Sequence, residues 1–219
     1  MNTPWSDSEA KQDCRNWIVT AANQNLDTTC PLNIFTLPAQ EALCAKTFRQ
    51  YWPHAVIFGV ERLVNVFKKV DRSSGIFMRR CSLNDYLKKD TTLMGDHFDV
   101  AFFDFTGAAT EKNVKSVVKF VSNENVVHKR KKSVIAVTFN SNDRQYGVKR
   151  IANKINKTVH SEEDEVLNYN AKTAMNLLVE EIGESVQRVR ILQILHYQTY
   201  KAQDDSVPMF FGILLIEKY

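Results

Sequence analysis

The strongest strand signal in the chain is FDVAFFDF at residues 98–105. A second continuous apolar run, SVIAVTF, follows at residues 133–139. Runs of Val, Ile and Phe of this length are typical of strands that are covered on both faces, as in a parallel sheet. Between the two runs, valines recur at helical spacing over residues 114–121. These segments predict a strand–helix–strand unit.

The same alternation continues on both sides of this unit. Further strands are predicted at residues 32–37, 55–60, 75–79, 189–200 and 209–216. Helices are predicted at residues 39–52, 63–70 and 167–182, and from a cap at Ser82. A short polar link joins the last two strands, which favours an antiparallel hairpin. We therefore expect an α/β fold with a doubly wound, mostly parallel seven-stranded sheet and a C-terminal antiparallel hairpin.

Two segments lie outside this alternation. Residues 1–30 predict an accessory N-terminal helix, capped by Ser6, that covers the sheet edge or a ligand cleft. Residues 141–165 are polar and charged, and we expect an insertion or lid there. The remaining chain, residues 31–219, is expected to form one α/β domain.

Composition excludes several classes of protein. Of 219 residues, 44% are hydrophobic and 25% are charged, which excludes a wholly disordered chain. No apolar run approaches the roughly 20 residues that a membrane-spanning helix needs. The first residues show no basic-then-apolar leader pattern, so we expect a cytoplasmic protein.

Cysteines and histidines give no sign of a metal site. The four cysteines lie far apart and form no CxxC pair, and the five histidines are equally dispersed. We expect reduced, mostly buried thiols at Cys14, Cys30, Cys44 and Cys81.

The net charge of +4 is mild for a nucleic-acid-binding protein, so the position of the basic residues matters more than their number. The basic run at residues 128–132 precedes a predicted strand, at the end of the sheet away from a ligand cleft. A better candidate for a surface that faces nucleic-acid phosphates follows that strand, at Arg144, Lys149, Arg150, Lys154 and Lys157. The alternative for these residues is a solvated face.

In an open α/β sheet, ligands bind beyond the carboxyl ends of the strands. The residues at these ends are the candidate site: Thr36, Leu37, Pro38, Glu61, Arg62, Ser82, Leu83, Asp104 and Phe105. An acid such as Glu61, after the second strand, is placed to accept hydrogen bonds from two ribose hydroxyls. Ser82 would lie beside an adenine ring, and Asp104 could orient a charged cofactor group or accept a substrate proton. The alternatives are a solvated Glu61, and helix capping by Ser82 and Asp104.

Three features resemble the class I S-adenosylmethionine-dependent methyltransferases. They are VER at residues 60–62, FDVAFFDFTG at residues 98–107, and the C-terminal hairpin that ends in PMFFGILLI at residues 208–216. The resemblance implies a Rossmann-like fold, S-adenosylmethionine as cofactor, and methyl transfer to a nucleic acid or a protein. It implies cofactor contacts from residues 36–38, 61–62, 82–83 and 104, and catalytic roles for Asp104 and Phe105.

The sequence departs from that family at its first motif. Residues 36–42 read TLPAQEA, without the glycines that wrap the methionine part of the cofactor. This departure favours an alternative, a catalytically inactive methyltransferase-like module for binding or assembly. Residues 104–107 also lack the Asx-Pro-Pro-Tyr segment of methyltransferases that act on base amines. A dinucleotide oxidoreductase is a more distant alternative, because GxGxxG is absent.

Overall fold

The computed structural model describes residues 8–88, 97–108, 111–123, 126–127, 131–140, 175–176, 178–184, 186, 188–201 and 209–219. The predicted insertion at residues 141–165 lies outside these ranges, and so do Ser6 and residues 128–130. The predicted basic surface also lies outside them, at Arg144, Lys149, Arg150, Lys154 and Lys157.

A seven-stranded sheet forms the centre of the fold, in the order β3-β2-β1-β4-β5-β7-β6. The strands are β1 (Asn33–Thr36), β2 (Val56–Val60), β3 (Phe77–Arg79), β4 (Val100–Ala108), β5 (Lys132–Asn140), β6 (Val189–Tyr200) and β7 (Met209–Lys218). Strands β1 to β5 are parallel, whereas β7 is antiparallel to both β5 and β6. The predicted fold class is confirmed, including the C-terminal hairpin.

The helices are α1 (Glu9–Asn25), α2 (Leu43–Tyr51), α3 (Val64–Lys69), α4 (Leu83–Lys88) and α5 (Glu111–Ser122). Residues 175–176 and 178–184 are also helical. The cap of α1 is Ser8, whose Oγ accepts a hydrogen bond from the Lys11 N–H at 3.3 Å, so the prediction of Ser6 as cap is wrong. None of the helices within the described ranges is long and apolar enough to cross a lipid bilayer.

Both faces of the sheet are buried, because alternate residues of each strand point to opposite sides. Phe35 and Phe103 belong to one core, together with residues of α4 and α5. Ile34 and Phe102 belong to the other core, beneath α1 and α2. Helices therefore cover both faces, and the loops at the strand ends are left to carry polar side chains.

The four cysteines are free thiols. Cys14 and Cys44 are buried and Cys81 is half-buried, but Cys30 is exposed, so the expectation of mostly buried thiols holds for two of them. Within the described ranges, no group of His, Cys, Asp and Glu side chains has an arrangement that could hold a metal ion.

Candidate functional site

A cavity of about 690 Å³ opens at the carboxyl ends of β1 to β4. This volume is within the range of about 300–1,000 Å³ that is usual for small-molecule sites. The lining includes nearly all of the predicted site residues, namely Leu37, Pro38, Glu61, Arg62, Ser82, Leu83, Asp104 and Phe105. The fold therefore brings together side chains that are far apart in the sequence.

Thr36 is the predicted site residue that the cavity does not include. It is fully buried within β1, where it pairs with Gly59 of β2 and Phe102 of β4. Its Oγ1 has no hydrogen-bond partner in the described part of the chain. On the β1 side, the cavity begins one residue later, at Leu37.

The loop after β1 turns without glycine. Pro38 lies close against Gly59 of β2, so that a Cβ atom on Gly59 would approach Pro38 Cδ to 2.9 Å. Ala42 takes the left-handed conformation at the end of the loop, with φ of 48°. As a result α2 begins at Leu43, four residues later than predicted. The glycine that makes room for this loop is on the neighbouring strand.

Glu61 is half-buried at the end of β2 and is held by its own loop. Its Oε1 accepts a hydrogen bond from the Leu63 N–H at 2.6 Å, and its N–H donates to the Arg79 carbonyl at 3.1 Å. No salt bridge to Glu61 occurs among the described residues. Since each carboxylate oxygen has two lone pairs, the Leu63 contact fixes the carboxylate and leaves it able to accept further hydrogen bonds at the cavity wall.

The Ser82 hydroxyl is engaged in capping α4. Its Oγ accepts from the Asp85 N–H at 3.1 Å and donates to Asp85 Oδ2 at 2.6 Å. The capping role, which the sequence left as an alternative, therefore accounts for this side chain. Nearby, Asn84 Oδ1 accepts from Ser116 Oγ at 3.2 Å, and this bond joins α4 to α5 at the cavity wall.

Asp104 has two partners, and one of them is a cation. Its Oδ1 accepts a hydrogen bond from Thr138 Oγ1 at 2.6 Å and forms an ion pair with Lys11 Nζ. The Lys11 side chain is 3% exposed and the Asp104 side chain is 19% exposed, and both line the cavity. The predicted catalytic acid is therefore already neutralised by a lysine of the N-terminal helix.

Lys11 is the site residue that sequence reasoning missed. The helical pattern predicted that Trp17 lies on the buried face of α1, but Trp17 is 44% exposed and that prediction is wrong. The buried face instead carries Lys11 and Arg15, in line with Ile18. Their spacing of four and seven residues from Lys11 was the available signal. Lysine is so rarely buried without a partner that the pattern did not favour it.

The groups around this ion pair stay uncharged. Burial raises the pKa of the Cys14 thiol to about 12, and burial also raises the pKa of the Tyr200 phenol. Burial likewise raises the pKa of Cys44. A thiolate nucleophile is therefore not available beneath α1 at neutral pH.

Phe105 presents an aromatic ring at the cavity wall. It is half-buried, and its ring lies nearly parallel to that of Phe139, with the two centroids 5.3 Å apart. Phe103 stacks on the same ring at 6.0 Å. These contacts hold the Phe105 ring in a fixed orientation.

Comparisons with known proteins support the fold. No protein-family model matches the sequence, and no curated protein matches it. The structure is similar to an O-methyltransferase from Bacillus cereus in complex with SAH, at 12% identity and a TM-score of 0.55, over 93% of this chain and 80% of that one. It is also similar to the cofactor-bound Rv0187 from MTB, at 13% identity and a TM-score of 0.53, over 93% and 79%.

A third similar structure is a probable spermidine synthase from Corynebacterium glutamicum, at 15% identity and a TM-score of 0.52. The similarity covers 94% of this chain and 63% of that one, less than two thirds of its length. Since these proteins carry different names for their activities, the likeness identifies the architecture and not the reaction. The chain has the Rossmann-like fold of the class I S-adenosylmethionine-dependent methyltransferases.

Proposed function

We propose that this protein binds S-adenosylmethionine in the cavity at the carboxyl ends of β1 to β4 and transfers its methyl group to an acceptor. The observation that carries the proposal is the position of Glu61, Asp104 and the loop after β1 around one cavity of about 690 Å³. When it is bound, this cofactor supplies an electrophilic methyl group on a sulfonium centre.

The residues that line the cavity fit a nucleoside. Glu61 is fixed by the Leu63 N–H and keeps lone pairs with which to accept hydrogen bonds from ribose hydroxyls. Leu83 offers an apolar wall for a base, and Leu37 and Pro38 line the β1 side. Because the Ser82 hydroxyl caps α4, we assign it no hydrogen bond to the base.

The acceptor side of the cavity has an aromatic and a basic character. Phe105 supplies a fixed ring on which a planar group can stack, and Arg62 and Lys112 add positive charge to the lining. These features favour a nucleic acid as acceptor, with a protein as the second class. Arg144, Lys149, Arg150, Lys154 and Lys157 would extend the contact with phosphates.

The second candidate function is a binding or assembly module that has lost catalysis. Two observations favour it. The loop after β1 contains Pro38 and Ala42 where the family has glycines. The charge of Asp104 is already matched by Lys11.

Binding of S-adenosylhomocysteine, measured by calorimetry and by thermal unfolding, separates the two candidates. For the proposed enzyme, ligand at a hundredfold excess over its Kd should stabilise the fold by about 2.7 kcal/mol. Glu61→Gln should weaken binding about tenfold or more, because a neutral amide accepts hydrogen bonds from hydroxyls less strongly than a carboxylate does.

The matched control is Glu184→Gln, since Glu184 is exposed and does not line the cavity. This variant should bind the ligand like the unmodified protein. If saturating S-adenosylhomocysteine leaves the unfolding temperature of the unmodified protein unchanged, the proposal of an enzyme is wrong and the module remains.

A further inference from the structure

The charges at the carboxyl end of β4 are arranged in an unusual way for a site that receives a cation. Asp104 Oδ1 accepts from Thr138 Oγ1 and pairs with Lys11 Nζ. The carboxylate is the more exposed partner, at 19% against 3% for the lysine side chain. A positively charged ligand beside Asp104 would therefore also meet the field of an ammonium group that is almost excluded from water.

We infer that Lys11 is a specificity-determining residue, which makes the cavity discriminate against a sulfonium ligand relative to the neutral thioether of the same shape. This inference rests on the proposed function. The ion pair has no net charge, so a sulfonium gains attraction to Asp104 and loses a comparable amount to repulsion by Lys11. A neutral thioether experiences neither effect.

The ion pair is not needed to hold α1 on the sheet. Cys14, Ile18 and Ala22 of α1 are fully buried in the core beneath α1 and α2. An anchor made of apolar side chains is available along the whole helix, whereas Lys11 stands at the cavity. Burying a lysine is costly unless it is paired, so its position is better explained by an effect on the ligand than by packing.

The expected consequence is a preference for the demethylated product over the methyl donor. A site with an unpaired carboxylate would favour the donor, because the sulfonium would gain the full attraction. With Lys11 in place, the occupancy of the site follows the ratio of donor to product more closely. The chemistry that tests this is the difference of one positive charge between S-adenosylmethionine and S-adenosylhomocysteine.

The experiment measures the Kd of both ligands by calorimetry and takes their ratio, donor over product. Lys11→Met removes the ammonium but keeps an unbranched side chain, and the ratio should fall about tenfold. Asp104→Asn leaves the ammonium without its counter-charge, and the ratio should rise. The double variant Lys11→Met with Asp104→Asn has neither charge, and its ratio should return to within about threefold of the unmodified protein.

Lys46→Met is the matched control. Lys46 forms a 2.7 Å ion pair with Asp71, but its side chain is 41% exposed and it does not line the cavity. Removal of its charge should leave the ratio unchanged. This control separates the charge at the cavity from a general effect of losing one lysine.

The outcomes distinguish this inference from the proposed function. If the unmodified protein binds both ligands and Lys11→Met keeps the same ratio, the inference is overturned and the proposed function stands. If no variant binds either ligand, both fail. Should Lys11→Met not fold, Asp104→Asn decides alone, because an unchanged ratio there contradicts the role of the pair.

Discussion

Gly59 shapes the candidate site although it does not line it. A Cβ atom at this position would approach Pro38 Cδ to 2.9 Å, Met78 Sδ to 3.0 Å and Ile76 Cδ1 to 3.1 Å. The proline ring cannot rotate away as a flexible side chain does, so the loop after β1 would have to move. The absence of a side chain on β2 thus determines where Leu37 and Pro38 meet the cavity.

Gly59→Ala should therefore destabilise the fold by about 1–3 kcal/mol in urea unfolding, as overpacking in a core does. The matched control is Gly183→Ala, since Gly183 is helical and nothing lies within 4 Å of its added Cβ. The control should be neutral or stabilising by up to about 1 kcal/mol, because alanine favours helix. Equal stabilities for the two variants would show that Pro38 does not constrain β2.

Individual site residues differed in how far the sequence could predict them. Glu61 and Asp104 follow continuous apolar runs, so their place at a strand end is fixed by the strand alone. Lys11 carries no such signal, because its burial depends on a partner 93 residues away in the chain. The capping of α4 by Ser82 was predictable as an alternative, since the contact is local.

At the level of elements, the strands were predicted more accurately than the helices. The strand β6 (Val189–Tyr200) has its predicted bounds, because its ends coincide with changes in composition. The start of α2 was predicted four residues early, since Pro38 favours a first helical turn but the chain turns on to Ala42. The outward face of α1 was also mispredicted, because Trp17 is apolar yet contacts the half-exposed strand β6.

That contact makes the docking of α1 depend on pH. The Trp17 ring stacks on His196 of β6, with centroids 4.3 Å apart, and burial lowers the pKa of His196 below its ordinary value of 6.5. The unfolded chain then binds the proton more readily than the folded one. The free energy of unfolding contributed by this contact is complete above about pH 6.5 and falls as the pH drops below that value.

Urea unfolding at about pH 7.5 and about pH 5.5 tests this dependence. The unmodified protein should lose more stability between these values than His196→Gln, which cannot titrate. His54→Gln, at an exposed position on the α2–β2 loop, should lose as much as the unmodified protein. An equal loss in His196→Gln and in the unmodified protein would assign the pH dependence to other groups.

At the scale of the whole molecule, the alternation of strands and helices was sufficient to predict the order of layers. Each parallel crossover places one strand beside a previous one, and the continuous runs at β4 and β5 require cover on both faces. Two cores on opposite faces result, with Ile34 in one and Phe35 in the other. The sequence could not predict which helix reaches the carboxyl edge, because that depends on how α1 lies across β5, β6 and β7.

The sheet has a cavity at each end, and this offers a test of where a ligand binds. The second cavity, of about 560 Å³, lies at the amino ends of β1, β4 and β5 and is lined in part by Asn25, Cys30, His97 and Lys131. Parallel α/β sheets bind ligands at the carboxyl end, where strand-end side chains and helix N-termini converge. The two ends of the same sheet thus serve as site and internal control.

Hydrogen exchange with and without saturating S-adenosylhomocysteine should show this difference. Amides at residues 37–42, 61–63 and 81–84 should exchange about tenfold or more slowly with ligand, because binding suppresses the local opening of these loops. Amides at residues 25–33 and 97–99, around the second cavity, should exchange at the same rate in both conditions. Slower exchange at the amino end alone would move the ligand to the second cavity and remove Glu61 from the proposed site. Equal slowing across the whole sheet would instead reflect global stabilisation without a located site.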